Sequence, residues 1–218
     1  MKEKILLFWS GGKKSALALD LLLKNPSYEV AGLISIFDKE TNRIPFHGIP
    51  DSLILEQAKL LKLPLQRIFL SSQSTQESKI EQIRAILNIY TKKGIVTQAC
   101  GHLDKHSIQN QLFFNLGSTI LTPNSELLSD EFNRLFLNNG FKALVSSVNL
   151  NSLDQNFLAF EYNEAFLDRL PGKIDKASRG NEFHTFVIFG PNFSKRVAFS
   201  KAIAVNEGDY LVSLVKEP

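Results

Sequence analysis

The sequence predicts an α/β fold with an open, mainly parallel sheet, followed by a smaller α+β region. Three observations carry that expectation. A short apolar run, Ile5 to Trp9, meets Ser10-Gly11-Gly12-Lys13-Lys14-Ser15 and passes at once into Ala16 to Leu23, which describes a strand, a tight turn and a helix N-terminus. Strand-like and helix-like stretches then alternate through most of the chain, the pattern of parallel strands joined by crossover helices. From Phe183 the character changes, and apolar runs broken by Gly190-Pro191-Asn192 and Asn206-Glu207-Gly208 suggest antiparallel strands joined by turns.

Taken in order, the first strand covers about Lys4 to Trp9 and the first helix Lys13 to Lys24, ending at Asn25-Pro26. Tyr28 to Phe37 is too continuously apolar for a one-faced sheet and is expected to be buried on both faces. A loop from Arg43 to Pro50 leads to Asp51, the expected N-cap of a helix with Leu53, Ile54, Ala58, Leu60 and Leu61 at helical spacing. Pro64 stops that helix, and Leu65 to Leu70 is the third strand. Ser74 or Thr75 opens a long helix whose stripe is Ile80, Ile83, Ile86, Leu87 and Tyr90, closed by Lys92, Lys93 and Gly94. Ile95 to Ala99 is the fourth strand, followed by a loop from Gly101 to Lys105, a helix near Ser107 to Leu116 and a short strand from Thr119 to Leu121. Pro123 marks a seam, so residues 1–124 and 125–218 are expected to form two domains. The second holds a helix near Ser129 to Asn139, a strand from Lys142 to Val148 and an irregular stretch with another helix from Asn151 to Pro171. Strand-like runs follow at Phe183 to Phe189, Arg196 to Val205 and Tyr210 to Val215.

Composition narrows the function classes. Lys+Arg number 25 against 22 Asp+Glu, a net charge of +3, with no basic run or charged tail, so a dedicated nucleic-acid binder is not expected. One cysteine, Cys100, leaves no internal disulfide framework and suits a reducing compartment, with cytoplasm the default. The apolar runs are of strand length, short of the roughly 20 residues of a membrane span, and the first of them is too short for a signal peptide.

The strand–turn–helix junction is the chemical focus. The first N–H groups of a helix lack partners within it, and its dipole places partial positive charge there. Phosphate meets both demands. Gly11 and Gly12 let the backbone approach a ligand oxygen, Ser10 and Ser15 add hydroxyls, and Lys13 adds charge. The loops after strands one, two and four share the carboxyl edge of an open sheet, where ligands collect at the point of strand-order reversal.

These residues also carry a resemblance. SGGKKSALAL after a first strand resembles the pyrophosphatase loop of the PP-loop, or adenine nucleotide alpha hydrolase-like, proteins. FHGIPDSLILEQAKLLKLPL, Phe46 to Leu65, is similar to that family's segment before its third strand. GNEFHTFVIFGPNF, Gly180 to Phe193, resembles the signature of its diphthine ammonia ligase (diphthamide synthase) subgroup. The resemblance spans nearly the whole chain. It implies a Rossmann-like nucleotide-binding domain over 1–124 and a substrate-side domain over 125–218. The implied reaction uses ATP to adenylate a carboxyl group, on a small molecule or a modified protein side chain, with release of pyrophosphate. Ammonia then displaces AMP to form an amide. Magnesium would bridge phosphate oxygens. Ser10, Gly11, Gly12, Lys13, Lys14 and Ser15 would form the nucleotide loop, and Glu182, His184 and Thr185 would line the side facing substrate and ammonia.

Departures from the family pattern are equally informative. Lys14 stands where the family's loop has an aspartate, Gly101-His102-Leu103 occupies its Gly-Asp-Ile position, and Arg179 replaces the first glutamate of its paired Gly-Glu signature. If these three positions face one crevice, phosphate binding gains and magnesium or ammonium binding loses. Two readings therefore stay open, an AMP-forming amide ligase and a non-catalytic or regulatory nucleotide-binding homologue. A tRNA-modifying PP-loop enzyme is a third, disfavoured by the lack of a second cysteine and of a basic run. The residues leave the acyl substrate and the oligomeric state open, a homo-oligomer included.

Other constellations are weaker. Cys100, His102, Asp104 and His106 alternate along one segment but match no established zinc pattern, and no metal site is assigned. Cys100 reads as a small buried residue at a strand end. His47 either serves the site or holds its own loop by a hydrogen bond. Glu182 and His184 on one strand would project to the same face, as a working pair or as a structural tie between domains. The 17 phenylalanines are expected in the core and at the domain interface.

Overall fold

A computed structural model describes residues 2–102, 120–216 and 218. Its first sheet contains β1 (Glu3–Phe8), β2 (Tyr28–Asp38), β3 (Leu65–Leu70), β4 (Thr97–Cys100) and β5 (Ile120–Leu121), in the order β3-β2-β1-β4-β5. All four pairings are parallel. The connecting helices are α1 (Lys13–Lys24), α2 (Asp51–Leu61) and α3 (Gln76–Thr91). The α/β expectation is met. The expected helix near Ser107 to Leu116 lies outside the described residues.

β1 is apolar on both faces, as a central parallel strand must be. Ile5 and Leu7 pack into one buried cluster with Leu17 and Phe37. Leu6 and Phe8 enter another with Ile34, Ile68, Ile83 and Leu87 under α3. Asp51 is the first residue of α2, not its cap: Pro50 takes that position with no side-chain cap, and Asp51 pairs with Arg67 at 2.9 Å. Thr75 does cap α3, its hydroxyl accepting from the Ser78 N–H at 3.3 Å.

Strand order places the site. β2 and β3 lie on one side of β1, and β4 lies on the other, so the progression reverses between β1 and β4, the switch point at which ligands bind in open α/β sheets. Phe8 and Cys100 are paired there in register, and the loops that follow them leave the sheet side by side.

The second sheet is antiparallel, with β6 (Lys142–Asn149), β7 (Phe183–Phe189), β8 (Ser200–Glu207) and β9 (Tyr210–Lys216) in the order β7-β6-β9-β8. Helices α4 (Ser129–Asn138) and α5 (Glu164–Arg169) accompany it. The strands are antiparallel as expected, but the turn at Gly190-Pro191-Asn192 does not join neighbours in the sheet: β8 and β9 form a hairpin, whereas β7 pairs with β6, and β9 covers the other edge of β6. The strand expected from Arg196 starts only at Ser200; before it, the Val197 N–H donates to the Ile188 carbonyl at 2.8 Å.

One buried cluster crosses from the first sheet to the second, joining Leu17 and Phe37 to Phe141, Val145, Phe186 and Ile188. Its aromatic centre stacks Phe136 on Phe141 at 4.8 Å and sets Phe166 edge-on to Phe183 at 5.3 Å, so phenylalanines supply core and junction as expected. Among the described residues, no helix is long and apolar enough to cross a membrane.

Candidate functional site

The turn after β1 is shaped by what surrounds it. Gly11 has φ +76°, a conformation that disfavours any side chain, and a Cβ there would meet Ile54 Cδ1 at 2.6 Å and Gln57 Oε1 at 2.7 Å. Gly12 forms the start of α1 without a side-chain cap. The serines brace the turn from within: Ser10 Oγ accepts from the Gly12 N–H at 3.3 Å, and Ser15 Oγ donates to the Gly12 carbonyl at 3.0 Å.

β7 closes directly onto this turn. The Val187 N–H donates to the Gly11 carbonyl at 2.9 Å, and Thr185 Oγ1 accepts from the Lys13 N–H at 3.0 Å. Gln57, buried on α2, completes the seam by donating to the carbonyls of Gly11 at 3.2 Å and Val187 at 2.7 Å. Its Oε1 accepts from the Trp9 indole at 2.8 Å. Gln57 was missed by motif reading, yet it lies three residues after Ile54 and four before Leu61 on the buried face of α2. A polar residue on an apolar stripe is the signal that could have found it.

Lys13 is 2% exposed, with its ammonium over the Phe183 ring at 4.1 Å and near Tyr162 at 5.2 Å. Burial pushes its pKa well below the usual lysine range and Lys14 lowers it further, while Asp175 and Glu182 oppose the shift.

A cavity of about 710 Å³ opens over the turn, in the size range of cofactor pockets. Ser10, Gly12, Lys13, Lys14 and Ser15 line one end, beside Cys100, Gly101 and His102 from the far side of the switch point. Ile34, Ile36, Phe37, Leu70 and Ile83 give the opposite part an apolar wall. Phe46, His47, His184, Thr185 and Tyr210 form the lip where the second sheet meets the first.

That lip is a packed ring cluster. His47 and His184 have centroids 4.4 Å apart, Phe46 and Tyr210 5.4 Å, and His184 and Tyr210 5.5 Å. His47 Nδ1–H donates to the Thr185 carbonyl at 3.2 Å, the tautomer set by an acceptor-only partner. Burial, with Lys13 and Lys14 nearby, pushes the His47 pKa down to about 3 against that bond. His184 is likewise held well below the usual histidine range by burial, then by His47 and the two lysines. Both imidazoles are therefore neutral at physiological pH. A bulge in β6, with Ser146 the extra residue between the partners of Thr185 and His184, turns this part of the sheet. His184 Nε2 is buried with no hydrogen-bond partner among the described residues.

The expected site residues divide as follows. Ser10, Gly12, Lys13, Lys14, Ser15, His184 and Thr185 line the cavity, while Gly11 shapes the loop from beneath. Glu182 does not line it: it precedes β7, and its Oε2 is buried without a hydrogen-bond partner among the described residues. Lys14, His102 and Arg179 do converge, but on a recess of about 10 Å³ beside the cavity, shared with Gly101 and Asn124. Only Lys14 and His102 also face the cavity. Arg179 is drawn back by Asp175, 4.0 Å away, and by the Leu127 carbonyl, to which it donates. Asn124 donates to the Lys14 carbonyl at 2.9 Å.

The donor set of the described residues does not fit magnesium. Among the described residues the cavity's one carboxylate is Asp38, whose Oδ1 already accepts from the Thr41 N–H at 2.8 Å and hydroxyl at 2.9 Å. No group of three His, Cys, Asp or Glu among the described residues could hold a metal. Asp104 and His106 lie outside those residues. Burial pushes the Cys100 thiol up to about 12, so it behaves as an inert buried group.

No curated protein matches the chain. A solved structure of the U34-tRNA thiolase NcsA from Methanococcus maripaludis, with its 4Fe–4S cluster, is similar at 15% identity and a TM-score of 0.37, covering 62% of this chain. The chain spans 55% of that protein's length. Residues 2–113 match the diphthamide synthase N-terminal domain, and residues 129–212 match the diphthamide synthase C-terminal domain. With both halves matched in order, and with the β1 loop and β7 meeting at one cavity, the chain belongs to the diphthamide synthase family of the PP-loop superfamily.

Proposed function

We propose that this protein binds ATP across the carboxyl edge of the first sheet and uses it to activate a carboxyl group for amidation by ammonia, releasing pyrophosphate and AMP. The observation that carries this reading is the single cavity joining the Ser10–Ser15 turn, an apolar wall and the His47–His184 lip. The apolar wall from Ile34, Ile36, Phe37, Leu70 and Ile83 suits a purine, and the turn suits phosphates. A carboxyl group entering at the lip would meet the α-phosphate near Lys14 and His102. The two neutral imidazoles suit that lip, because an ammonia nucleophile must shed a proton as it attacks the acyl carbon. His184, with an unpartnered Nε2, is the residue placed to accept it. Thr185 acts through the loop backbone, and Glu182 through its charge near Lys13.

A second reading, nucleotide binding without catalysis, is favoured by Lys14, His102 and Arg179 gathering beside the turn. One experiment separates the two. Purified protein is mixed with ATP, ammonium and a panel of carboxylic acids, and AMP, pyrophosphate and amide are followed together. Stoichiometric formation of all three supports the ligase. ATP binding without turnover supports the second reading, and no ATP binding removes both.

A further inference from the structure

We infer that the phosphate end of this cavity binds nucleotide phosphates without a divalent cation, with the Lys14 ammonium doing the charge neutralisation that a bridging metal ordinarily does. This rests on the nucleotide-binding reading above and adds to it the ionic form of the ligand, free ATP in place of its magnesium complex.

Three observations meet here. Lys14 lies in the first turn of α1 and lines the cavity with Ser10, Gly12 and Ser15, where phosphate oxygens would sit against the helix N-terminus. Its backbone is pinned on two sides: Asn124 holds its carbonyl at 2.9 Å, and Gly101 packs so closely that a Cβ there would come within 2.4 Å of that carbonyl. The second cation of the loop, Lys13, is turned into the aromatic core beneath Phe183, where Asp175 and Glu182 offset it. Lys14 instead lines both the cavity and the recess beside it.

Among the described residues, carboxylates are missing where a metal would need them. Magnesium in phosphate sites is held by one or two carboxylates together with the substrate oxygens. Asp38 is committed to the Thr41 turn, and Glu182 does not line the cavity. His102, beside Lys14, adds a neutral or positive group, never a negative one. A site of this sign attracts the more highly charged free nucleotide, and magnesium on the phosphates reduces that attraction.

The test is calorimetric titration of the full chain with ATP, in excess EDTA and in excess magnesium. The expected result is that ATP binds in EDTA at least as tightly as in magnesium, or within about threefold. Lys14→Asp should invert the preference, weakening binding in EDTA by about tenfold or more with recovery on adding magnesium. Lys14→Gln, which removes the charge without adding a carboxylate, should weaken binding equally under both conditions. Circular dichroism melts establish that each variant is folded. Wild-type binding that needs magnesium overturns the inference and leaves the nucleotide reading intact. Failure to bind ATP under either condition overturns both.

Discussion

The main-chain N–H of Lys13 donates to the Thr185 hydroxyl at 3.0 Å across 172 positions of sequence. A donor at the start of α1 is thereby satisfied by a strand of the other sheet, and the phosphate turn is held in shape before any ligand arrives.

Thr185→Val should leave that N–H buried and unpaired at nearly unchanged side-chain volume, since Thr185 is 1% exposed. The expected loss is about 1–3 kcal/mol of unfolding free energy, with Thr185→Ser close to wild type. Urea denaturation of the three proteins checks this, and a Val variant as stable as the Ser variant would show the bond to be dispensable.

Gln57 should matter more, because its amide serves Trp9, Gly11 and Val187 together. Gln57→Leu is expected to cost about 2–4 kcal/mol, since the Trp9 indole N–H loses its acceptor while the Gly11 and Val187 carbonyls each lose a donor, the Gly11 carbonyl keeping only the Val187 N–H. Trp9 is the sole tryptophan and lines the cavity. Its emission should therefore shift in the variant, and in wild type on titration with ATP. An unchanged spectrum in both would contradict the placement of the indole.

Gly101→Ala probes the approach of the β4 loop to the phosphate turn. The added methyl would meet the Lys14 backbone at 2.4 Å, and backbone cannot rotate aside as a side chain can. A loss of about 1–3 kcal/mol is expected, with ATP affinity falling alongside. Full affinity in a stable variant would mean that the two loops separate freely.

The histidine pair predicts a pH profile. His47 titrates near 3 when folded and near 6.5 when unfolded, so between those values the unfolded chain binds the extra proton. Stability is fully present above about 6.5, falls as pH drops and is lost by about 3. His184 acts in the same direction. Glu40 and Asp175, lowered from 4.5 and 3.8, add to the slope only below those values, so the imidazoles are read between about 6.5 and 4.5 by comparing wild type with the histidine variant. His47→Gln should flatten the slope of unfolding free energy in that range, and an unaltered slope would sink the assignment.

How much of this was legible in the sequence depended on range. The strand, Gly11-Gly12 turn and α1 were readable because their determinants lie within a few residues of one another, and α1 spans Lys13–Lys24 as its pattern predicts. β7 was readable for the same reason. Its partner was not, since whether β7 lies beside β6 or β8 is decided by packing between distant segments. Asp51 looked like a cap but serves Arg67, an ion pair no local pattern announces. Glu182 was read as a site residue from its place in a motif, and Arg179 as a departure that would count if it faced the same crevice. The turn they occupy, with Ser178 and Asn181 both left-handed, instead carries Arg179 toward Asp175 and Leu127.

The seam of Gly11, Gln57, Thr185 and Val187 also bears on how the protein can be divided. Cutting the polypeptide between its two sheets would strip the Gly11 carbonyl and the Lys13 N–H of the partners β7 supplies. It would also expose the apolar face that β7 covers. The nucleotide loop is therefore not a portable module. Its geometry is jointly authored by both halves, and neither half, grafted or expressed alone, should recover it.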